Sequence, residues 1–343
     1  MTSKKILVTG GAGYIGTHTI LELLSSGYTV ISADNFSNAP RNSFERIAQI
    51  SGCQIENCEI DLCDAAAVDN LFSNHRGFEG VIHFAALKAV GESVSQPLHY
   101  YHNNIASLLN VLSMCAKYSV KRFIFSSSCS VYGNSTVLPV DEMTPMGKSE
   151  SPYAFSKVVG ERIVQDTVAS VNLSAILLRY FNPVGAHPSG LLGEYPIHKP
   201  NNLIPVITQA ASGITPPMTV HGNDYNTRDG SCIRDYVHVC DIARAHVLAL
   251  QYLFELQKDN YCDVFNLGTG SGVSVLEAVA AFEKSTGTKV PLAIGPRRQG
   301  DVAAIYSNSA KAAQQLKWTP EYDLEAMMQS AWKWQQQLNH ERN

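Results

Sequence analysis

The stretch Thr9-Gly10-Gly11-Ala12-Gly13-Tyr14-Ile15-Gly16 constrains this chain more than any other. It follows Ile6-Leu7-Val8, a short apolar run that reads as a strand, and leads into Ile20-Leu21-Leu23-Leu24, spaced as on a helix. A strand that turns through glycines into a helix lets the backbone approach a ligand closely, because glycine has no Cβ in the way. The helix N-terminus adds free N–H groups and partial positive charge, so the turn is suited to a pyrophosphate. Gly10, Gly13 and Gly16, with Tyr14 and Ile15, are the candidate contacts. Asp34 ends the next strand-like run, Thr29–Ala33. That is close to the spacing of roughly 20 residues at which a carboxylate holds an adenosine ribose. A carboxylate there repels a 2′-phosphate, which favours NAD over NADP. Asn35 follows it, and Asp61, beyond the third run, stands either at the adenine or as the cap of the next helix.

The same alternation continues. Gly80–Ala85, Arg122–Ser126 and Ser174–Leu178 are strand-like, and Ile105-Leu108-Leu109-Leu112 has helical spacing. This predicts an α/β chain, a doubly wound parallel sheet of the Rossmann kind, with its crevice at the carboxyl ends of the strands. After about residue 182 proline, glycine and asparagine dominate as far as Gly230, and few regular elements are expected. Helices are expected again at Asp241–Leu256, Val275–Ser285 and Leu324–Leu338, and Asp263–Gly268 reads as a strand that rejoins the first sheet. The expected division is therefore 1–181 for NAD and 182–343 for substrate, the second part smaller, loop-rich and partly returning to the first.

Composition excludes some functions. The chain has 26 Lys and Arg against 30 Asp and Glu, net −4, which leaves no sequence-wide basic surface for nucleic acid or anionic lipid. No apolar stretch approaches the roughly 20 residues of a membrane span, and the N-terminus runs into its first strand without a signal-like segment. Eight cysteines without a C-x-x-C pair read as reduced thiols of a cytoplasmic enzyme. Cys53, Cys58 and Cys63 are evenly spaced, but a strand with polar flanks explains them better than a metal site, and no metal is expected.

Tyr153-Ala154-Phe155-Ser156-Lys157 opens a helix, so Tyr153 and Lys157 share a face. A phenol with an ordinary pKa near ~10 is a poor base at neutral pH. A neighbouring ammonium and a nicotinamide cation both favour phenolate and predict a lower value. A Y-x-x-x-K spacing is common on its own. Here it is joined by Ser126-Ser127-Ser128 after the Arg122–Phe125 run, with Ser128 the candidate to hydrogen-bond the reacting oxygen.

With these residues, and with the stretches Val81–Ser93, Ser126–Gly133, Ser151-Pro152-Tyr153, Leu178–Gly190, Arg234–Val239 and Arg297–Asp301, the sequence resembles the extended short-chain dehydrogenase/reductases nearly end to end. Within that family it is most similar to the sugar-nucleotide 4-epimerases. The resemblance implies that Tyr153 removes the 4-OH proton of a UDP-hexose while NAD takes the C4 hydride. It implies that Lys157 holds the nicotinamide ribose, and that Phe84, Ala85, Lys88, Asn103, Ser126 and Tyr180 line the cofactor cleft. It assigns the UDP-hexose to Phe181, Asn182, Asn202, Leu203, Arg234, Arg298 and Asp301, beside Ser128. Arginine suits the diphosphate, because its planar charged fork matches phosphate oxygens. Ile305 stands where the family sets the size of the sugar pocket. It is intermediate in bulk, so UDP-N-acetylhexosamines are an additional rather than the default substrate. A homodimer is implied as well.

Three other readings compete. A sugar-nucleotide 4,6-dehydratase carries an Asp-Glu pair just after the active hydroxyl, where this chain has Cys129-Ser130. A simple dehydrogenase would release NADH. A non-catalytic NAD-binding regulator would have no need for Ser128, Tyr153 and Lys157 together.

Overall fold

In the first half of the chain, each apolar run becomes a strand and each helix-period segment a covering helix. The computed structural model describes residues 3–197, 200–256, 258–298 and 301–342. In chain order the elements begin with β1 (Lys5–Thr9), α1 (Tyr14–Ser25), β2 (Thr29–Ala33), α2 (Ser43–Ser51), β3 (Glu56–Cys58), α3 (Ala65–Asn74) and β4 (Phe78–His83). Then come α4 (Val90–Ser95), α5 (Pro97–Tyr101), α6 (Ser107–Lys117), β5 (Arg122–Ser128), α7 (Pro152–Ser170) and β6 (Ser174–Tyr180). The second half adds β7 (Asn182–Val184), α8 (Leu203–Ala211), β8 (Met218–His221), β9 (Ile233–His238), α9 (Val239–Glu255) and β10 (Cys262–Leu267). It ends with β11 (Gly272–Ser274), α10 (Val275–Thr286), β12 (Leu292–Gly295), β13 (Ala304–Ile305) and α11 (Leu324–Arg342).

The main sheet runs β10-β6-β5-β4-β1-β2-β3, and every pairing in it is parallel. Alternation along each strand divides the core in two. Ile6, Val8, Ile82, Ile124, Ile176 and Leu178 pack beneath Ile20 and Leu23 of α1 and Ile242 and Leu250 of α9. Leu7, Val81, Phe123, Phe125 and Leu177 point to the other face, against Phe72 of α3, Leu108 and Leu112 of α6 and Val164 of α7. A third cluster joins α8, β8, α10 and α11 through Ile207, Val220, Phe282 and Met328. Among the described residues, no helix is long and apolar enough to cross a membrane.

The structure differs from the sequence reading in three places. β4 stops at His83 instead of Ala85. The three serines do not follow β5 but form its last residues, so Ser127 is a strand residue rather than part of a turn. The stretch read as loop up to Gly230 contains α8 and β8, and β8 pairs with β12 in a second small sheet. Pro205 disguises α8 in the sequence, but it sits in the first turn, where no N–H is needed. The C-terminal helix α11 turns its tryptophans inward. Trp334 is buried and donates to the Glu194 carbonyl at 2.8 Å, and Trp332 meets Phe282 edge-on at 5.4 Å.

One charged pair lies wholly inside. Arg179 of β6 and Glu161 of α7 are almost fully buried and meet in a two-pronged bridge of 2.6 and 2.8 Å. Ser127 donates to the same carboxylate at 2.5 Å, and Arg179 also donates to the Tyr132 hydroxyl at 3.0 Å. Removing one partner of such a pair strands the other charge in a low-dielectric interior. Glu161→Gln is therefore expected to destabilise the fold by about 3–5 kcal/mol, measured by denaturant unfolding; a loss below about 1 kcal/mol would contradict this.

Among the described residues, four histidines are buried in neutral form. Burial pushes His18 and His83 down to about 3, and His238 and His246 down to about 4. The unfolded chain takes up protons below about pH 6.5 that these rings refuse in the native state, so stability is complete above that pH and falls as pH drops toward their native values. Each contributes a slope of up to roughly 1.4 kcal/mol per pH unit. Unfolding free energy measured from pH 7.5 to 4.5 should fall steeply below pH 6.5, and a flat profile would refute the assignment.

Candidate active site

The turn between β1 and α1 divides its work among its glycines. Gly10 has φ +69°, and a Cβ there would stand 2.7 Å from the Ala85 backbone nitrogen. A Cβ on Gly16 would meet the Gly10 carbonyl oxygen at 2.3 Å, so helix and turn pack backbone on backbone. Gly13 is different. Its Cβ would meet only the Gly10 carbonyl oxygen, at 3.2 Å, and it precedes α1 with no side chain capping the helix. The first-turn N–H groups are thus open to an anion over a surface without side chains, which is the cradle a pyrophosphate requires. The Tyr14 side chain is engaged elsewhere, donating to the Gly185 carbonyl at 2.6 Å, so its contribution to the cradle is through its backbone. Ile15 packs against the core.

Asp34 lies just past β2 with its carboxylate tied to the same turn. It accepts from Ala12 N at 3.0 Å and from Phe36 N at 2.8 Å, and Phe36 takes a left-handed conformation, φ +55°, to close that short loop. Burial pushes the Asp34 carboxyl up, and these two N–H donors pull it back. Asn35 is exposed, its carbonyl accepting from Ser37 N at 3.0 Å. Asp61 is exposed too, three residues beyond β3, and accepts from Cys63 N at 2.9 Å. The alternative role for Asp61, helix cap, is excluded: the cap of α3 is Asp64, which accepts from the Ala66 and Ala67 N–H groups.

The far wall of the cleft is Phe84–Lys88. Phe84 N donates to the Thr9 carbonyl at 3.0 Å, and its ring rests on His246 at 4.6 Å. Asn103 lies in a wide helical turn, His102–Ala106, and donates to Asn104 at 3.0 Å. Asn104 was not singled out in the sequence, yet it holds this wall in place. Its side chain accepts from Leu87 N at 2.8 Å, donates to the Leu87 carbonyl at 3.0 Å, and donates to Ser156 of α7 at 3.1 Å. The only sequence signal was a polar residue beside Ile105 in an otherwise apolar helical pattern. Lys88 reaches across the cleft to Glu194 at 3.0 Å.

Ser128, Tyr153 and Lys157 come together where β5 meets α7. Ser151 caps α7 by accepting from Ala154 N at 3.2 Å, and Pro152 occupies the first position, so the helix starts one residue before Tyr153. The Ser128 hydroxyl stands near the Tyr153 phenol and accepts from Ser130 N at 3.2 Å. Lys157 donates to the Ser126 carbonyl at 2.7 Å, with Nζ 5.9 Å from the Tyr153 ring centre. Ser126 and Tyr180 share a short hydrogen bond between hydroxyls. The titration expected for Tyr153 is not what this environment produces. Burial pushes the phenol up to about 12 against the lowering effect of Ser128, and it pushes Lys157 down to about 8 against the attraction of Glu161. Desolvation by the protein outweighs the lowering contribution of the nearby hydroxyl.

The residues assigned to the UDP-hexose form a second group beyond β6. Phe181 is buried and donates its N–H to the Leu267 carbonyl at 3.1 Å. Asn182 opens β7, which pairs with β9, and among the described residues its buried side-chain oxygen has no hydrogen-bond partner. Arg234 of β9 donates to the Val302 carbonyl at 2.6 Å and lies 3.9 Å from Asp301. Arg298 holds Asp301 at 2.7 Å. β13 pairs Ile305 with Arg234, and Ile305 is buried in the core. Gln299 and Gly300, within the Arg297–Asp301 stretch, lie outside the described residues. Asn202 precedes α8 and donates to Glu194 at 2.6 Å, with Leu203 the first helical residue. Glu194 was missed in the sequence. Nothing local marked it, because its partners stand at positions 88 and 202.

Known proteins resemble this chain in sequence and fold. Residues 6–268 match the NAD dependent epimerase/dehydratase family. The chain is 48% identical over 335 residues to UDP-glucose 4-epimerase 1 of Oryza sativa subsp. japonica, covering 96% of this chain and 94% of that one. It is 46% identical, with a TM-score of 0.93, to the crystal structure of UDP-glucose 4-epimerase from Bifidobacterium longum in complex with NAD+ and UDP, covering 97% of this chain and 98% of that one. It is 42% identical, with a TM-score of 0.94, to UDP-glucose-4-epimerase from Stenotrophomonas maltophila with bound NAD and formylated UDP-arabinopyranose, covering 98% and 99%. The glycine cradle, the Asp34 carboxylate and the serine–tyrosine–lysine group thus stand in a chain that belongs to the NAD dependent epimerase/dehydratase family.

Proposed function

We propose that this chain catalyses the reversible 4-epimerisation of UDP-glucose and UDP-galactose through a transient 4-keto sugar, using tightly bound NAD, as a step of galactose metabolism. The observation that carries the reading is the position of Ser128, Tyr153 and Lys157 at the carboxyl end of β5, beside the glycine cradle of Gly10, Gly13 and Gly16. Asp34 takes the adenosine ribose, and Asn35 and Asp61 lie toward the adenine end. Phe84, Ala85, Lys88, Asn103, Ser126 and Tyr180 line the rest of the cofactor cleft.

NAD held in this cleft would supply the hydride acceptor and donor for the sugar C4. The remaining work falls to side chains. Ser128 hydrogen-bonds the 4-oxygen, and Tyr153 removes its proton and later restores it. Lys157, fixed by the Ser126 carbonyl, has N–H groups left for the nicotinamide ribose, and its charge favours the phenolate that burial opposes. Asn182, Arg234 and Arg298 hold the diphosphate, with Asp301 at the uridine ribose and Asn202 and Leu203 contributing further contacts. The open N-terminus of α8 supports that assignment. In this reading residues 1–181 serve the dinucleotide and 182–343 the UDP-hexose, with β10 and α9 built onto the first sheet.

The assembly we infer is a cytoplasmic homodimer. Eight free thiols favour a reducing compartment. Val94, Leu98, Leu109 and Phe155 are exposed on the adjoining helices α4, α5, α6 and α7, which supplies an apolar face for a second copy.

Tyr153→Phe is expected to lower kcat by about 10²–10⁴-fold while the purified protein keeps its NAD; near wild-type turnover would overturn the role given to Tyr153. Net release of NADH in step with product would instead favour the dehydrogenase reading. Ile305 leads us to expect UDP-glucose to turn over faster than UDP-N-acetylglucosamine in parallel assays, and equal rates would reject the narrower pocket.

A further inference from the structure

Strand alternation puts residues two apart on the same side of a strand. On β3 those residues are Glu56 and Cys58, and β3 is the outer strand of the main sheet, so one edge of it has no neighbouring strand. The helix that follows, α3, ends at His75, whose backbone N–H still donates to the Leu71 carbonyl at 3.1 Å. The β3–α3 unit folds back so that this histidine returns to the strand it came from. Cys58 Sγ stands 3.5 Å from His75 Nε2, and the same Nε2 stands 3.6 Å from Glu56 Oε1. All three donor atoms lie within 4.8 Å of one another.

A hydrogen bond between thiol and imidazole accounts for two of these groups but not for the carboxylate on the same nitrogen. The set is one sulfur, one imidazole nitrogen and one carboxylate oxygen, a combination characteristic of zinc and its neighbours. The distances agree with that chemistry. With metal–sulfur near 2.3 Å and metal–nitrogen or metal–oxygen near 2.0–2.1 Å, the edges of a tetrahedron are about 3.3–3.6 Å. Two of the three edges have this length already, and the third closes by rotation of Glu56, whose side chain is largely exposed. Cys58 and His75 are only partly buried, so a cation has a path from solvent and room for water as the fourth ligand.

We propose that Glu56, Cys58 and His75 form a binding site for one borderline divalent transition-metal cation, with Zn2+ as the representative ligand. Binding exchanges the Cys58 S–H bond for a sulfur–metal bond and releases the proton to solvent, with no change in oxidation state. The evenly spaced cysteines are not themselves the ligand set. Cys53 is exposed elsewhere, and Cys63 turns toward the carbonyls of His102 and Asn103. The site borders the adenosine end of the cleft, since Asp34 N donates to the Cys58 carbonyl at 3.3 Å and Asn57 donates to the Asp34 carbonyl at 3.1 Å.

The test is titration of the full-length protein, as purified with its cofactor, with Co2+ alone and then with Zn2+. One equivalent of Co2+ should produce a thiolate-to-metal charge-transfer band, and Zn2+ should displace it. Cys58→Ser should abolish the band. His75→Ala and Glu56→Gln should each weaken Zn2+ binding by about tenfold or more, while Cys53→Ser and Cys63→Ser leave it unchanged. Zn2+ should also raise the thermal midpoint of the unmodified protein but not that of His75→Ala. Absence of the band from the unmodified protein, its persistence in Cys58→Ser, or undiminished Zn2+ affinity in His75→Ala would each overturn the proposal.

Discussion

Two backbone segments touch at Gly10 because neither interposes a side chain, and much of the molecule follows from that contact. A single methyl on Gly10 would collide with the Ala85 backbone, and one on Gly16 would collide with Gly10 itself. Both collisions are with main chain, which cannot rotate away. The contact therefore fixes how closely β1 and β4 present their carboxyl ends and where α1 begins. It also sets the position of Phe84, whose N–H is held by the Thr9 carbonyl. The far wall from Phe84 to Lys88 is then secured from behind by Asn104, which bonds both polar atoms of the Leu87 backbone. The cleft is thus shaped by backbone geometry before any reactive side chain is placed in it.

The reactive side chains are fixed by a different means. β5 ends in three serines, and alternation sends the middle one to the opposite face from its neighbours. Ser127 joins the buried Glu161–Arg179 pair, while Ser126 bonds Tyr180 and Ser128 stands beside Tyr153. Glu161 lies one helical turn beyond Lys157, on the same side of α7, and its charge opposes the loss of the lysine's proton. One helix therefore carries the tyrosine, the lysine and the carboxylate in successive turns, and one strand supplies a hydroxyl to each face. The buried pair anchors the join between them.

What the sequence revealed and what it concealed divide along a physical line. Gly10, Gly13, Gly16 and Asp34 form a motif within 25 positions of the chain, and Tyr153 and Lys157 fall on one helical turn, so local spacing was enough to find them. The parallel sheet was legible because buried strands are continuous apolar runs. Glu161, Asn104 and Glu194 were not, because each is defined by partners far away in sequence: Arg179 and Ser127, Leu87 and Ser156, Lys88 and Asn202. α8 escaped because a proline in a helix interior and a proline in its first turn look alike until the boundary is known. The raised titration of Tyr153 was not legible for a related reason, because the desolvation that causes it is produced by the packing of the whole domain.

Glu194 joins the two halves of the cleft. A single oxygen of its carboxylate accepts from Lys88, on the side assigned to the dinucleotide, and from Asn202, on the side assigned to the UDP-hexose. Its backbone carbonyl is meanwhile held by Trp334 of the C-terminal helix. The carboxylate is mostly buried, so its charge is poorly screened and both donors remain oriented toward the cleft. A change at Lys88 is consequently felt at Asn202 through one shared acceptor. Neutralising that acceptor would loosen a cation on one side and an amide on the other, while Trp334 would still hold the loop in place. Lys88 and Asn202, more than a hundred residues apart in sequence, are in this way joined through one carboxylate.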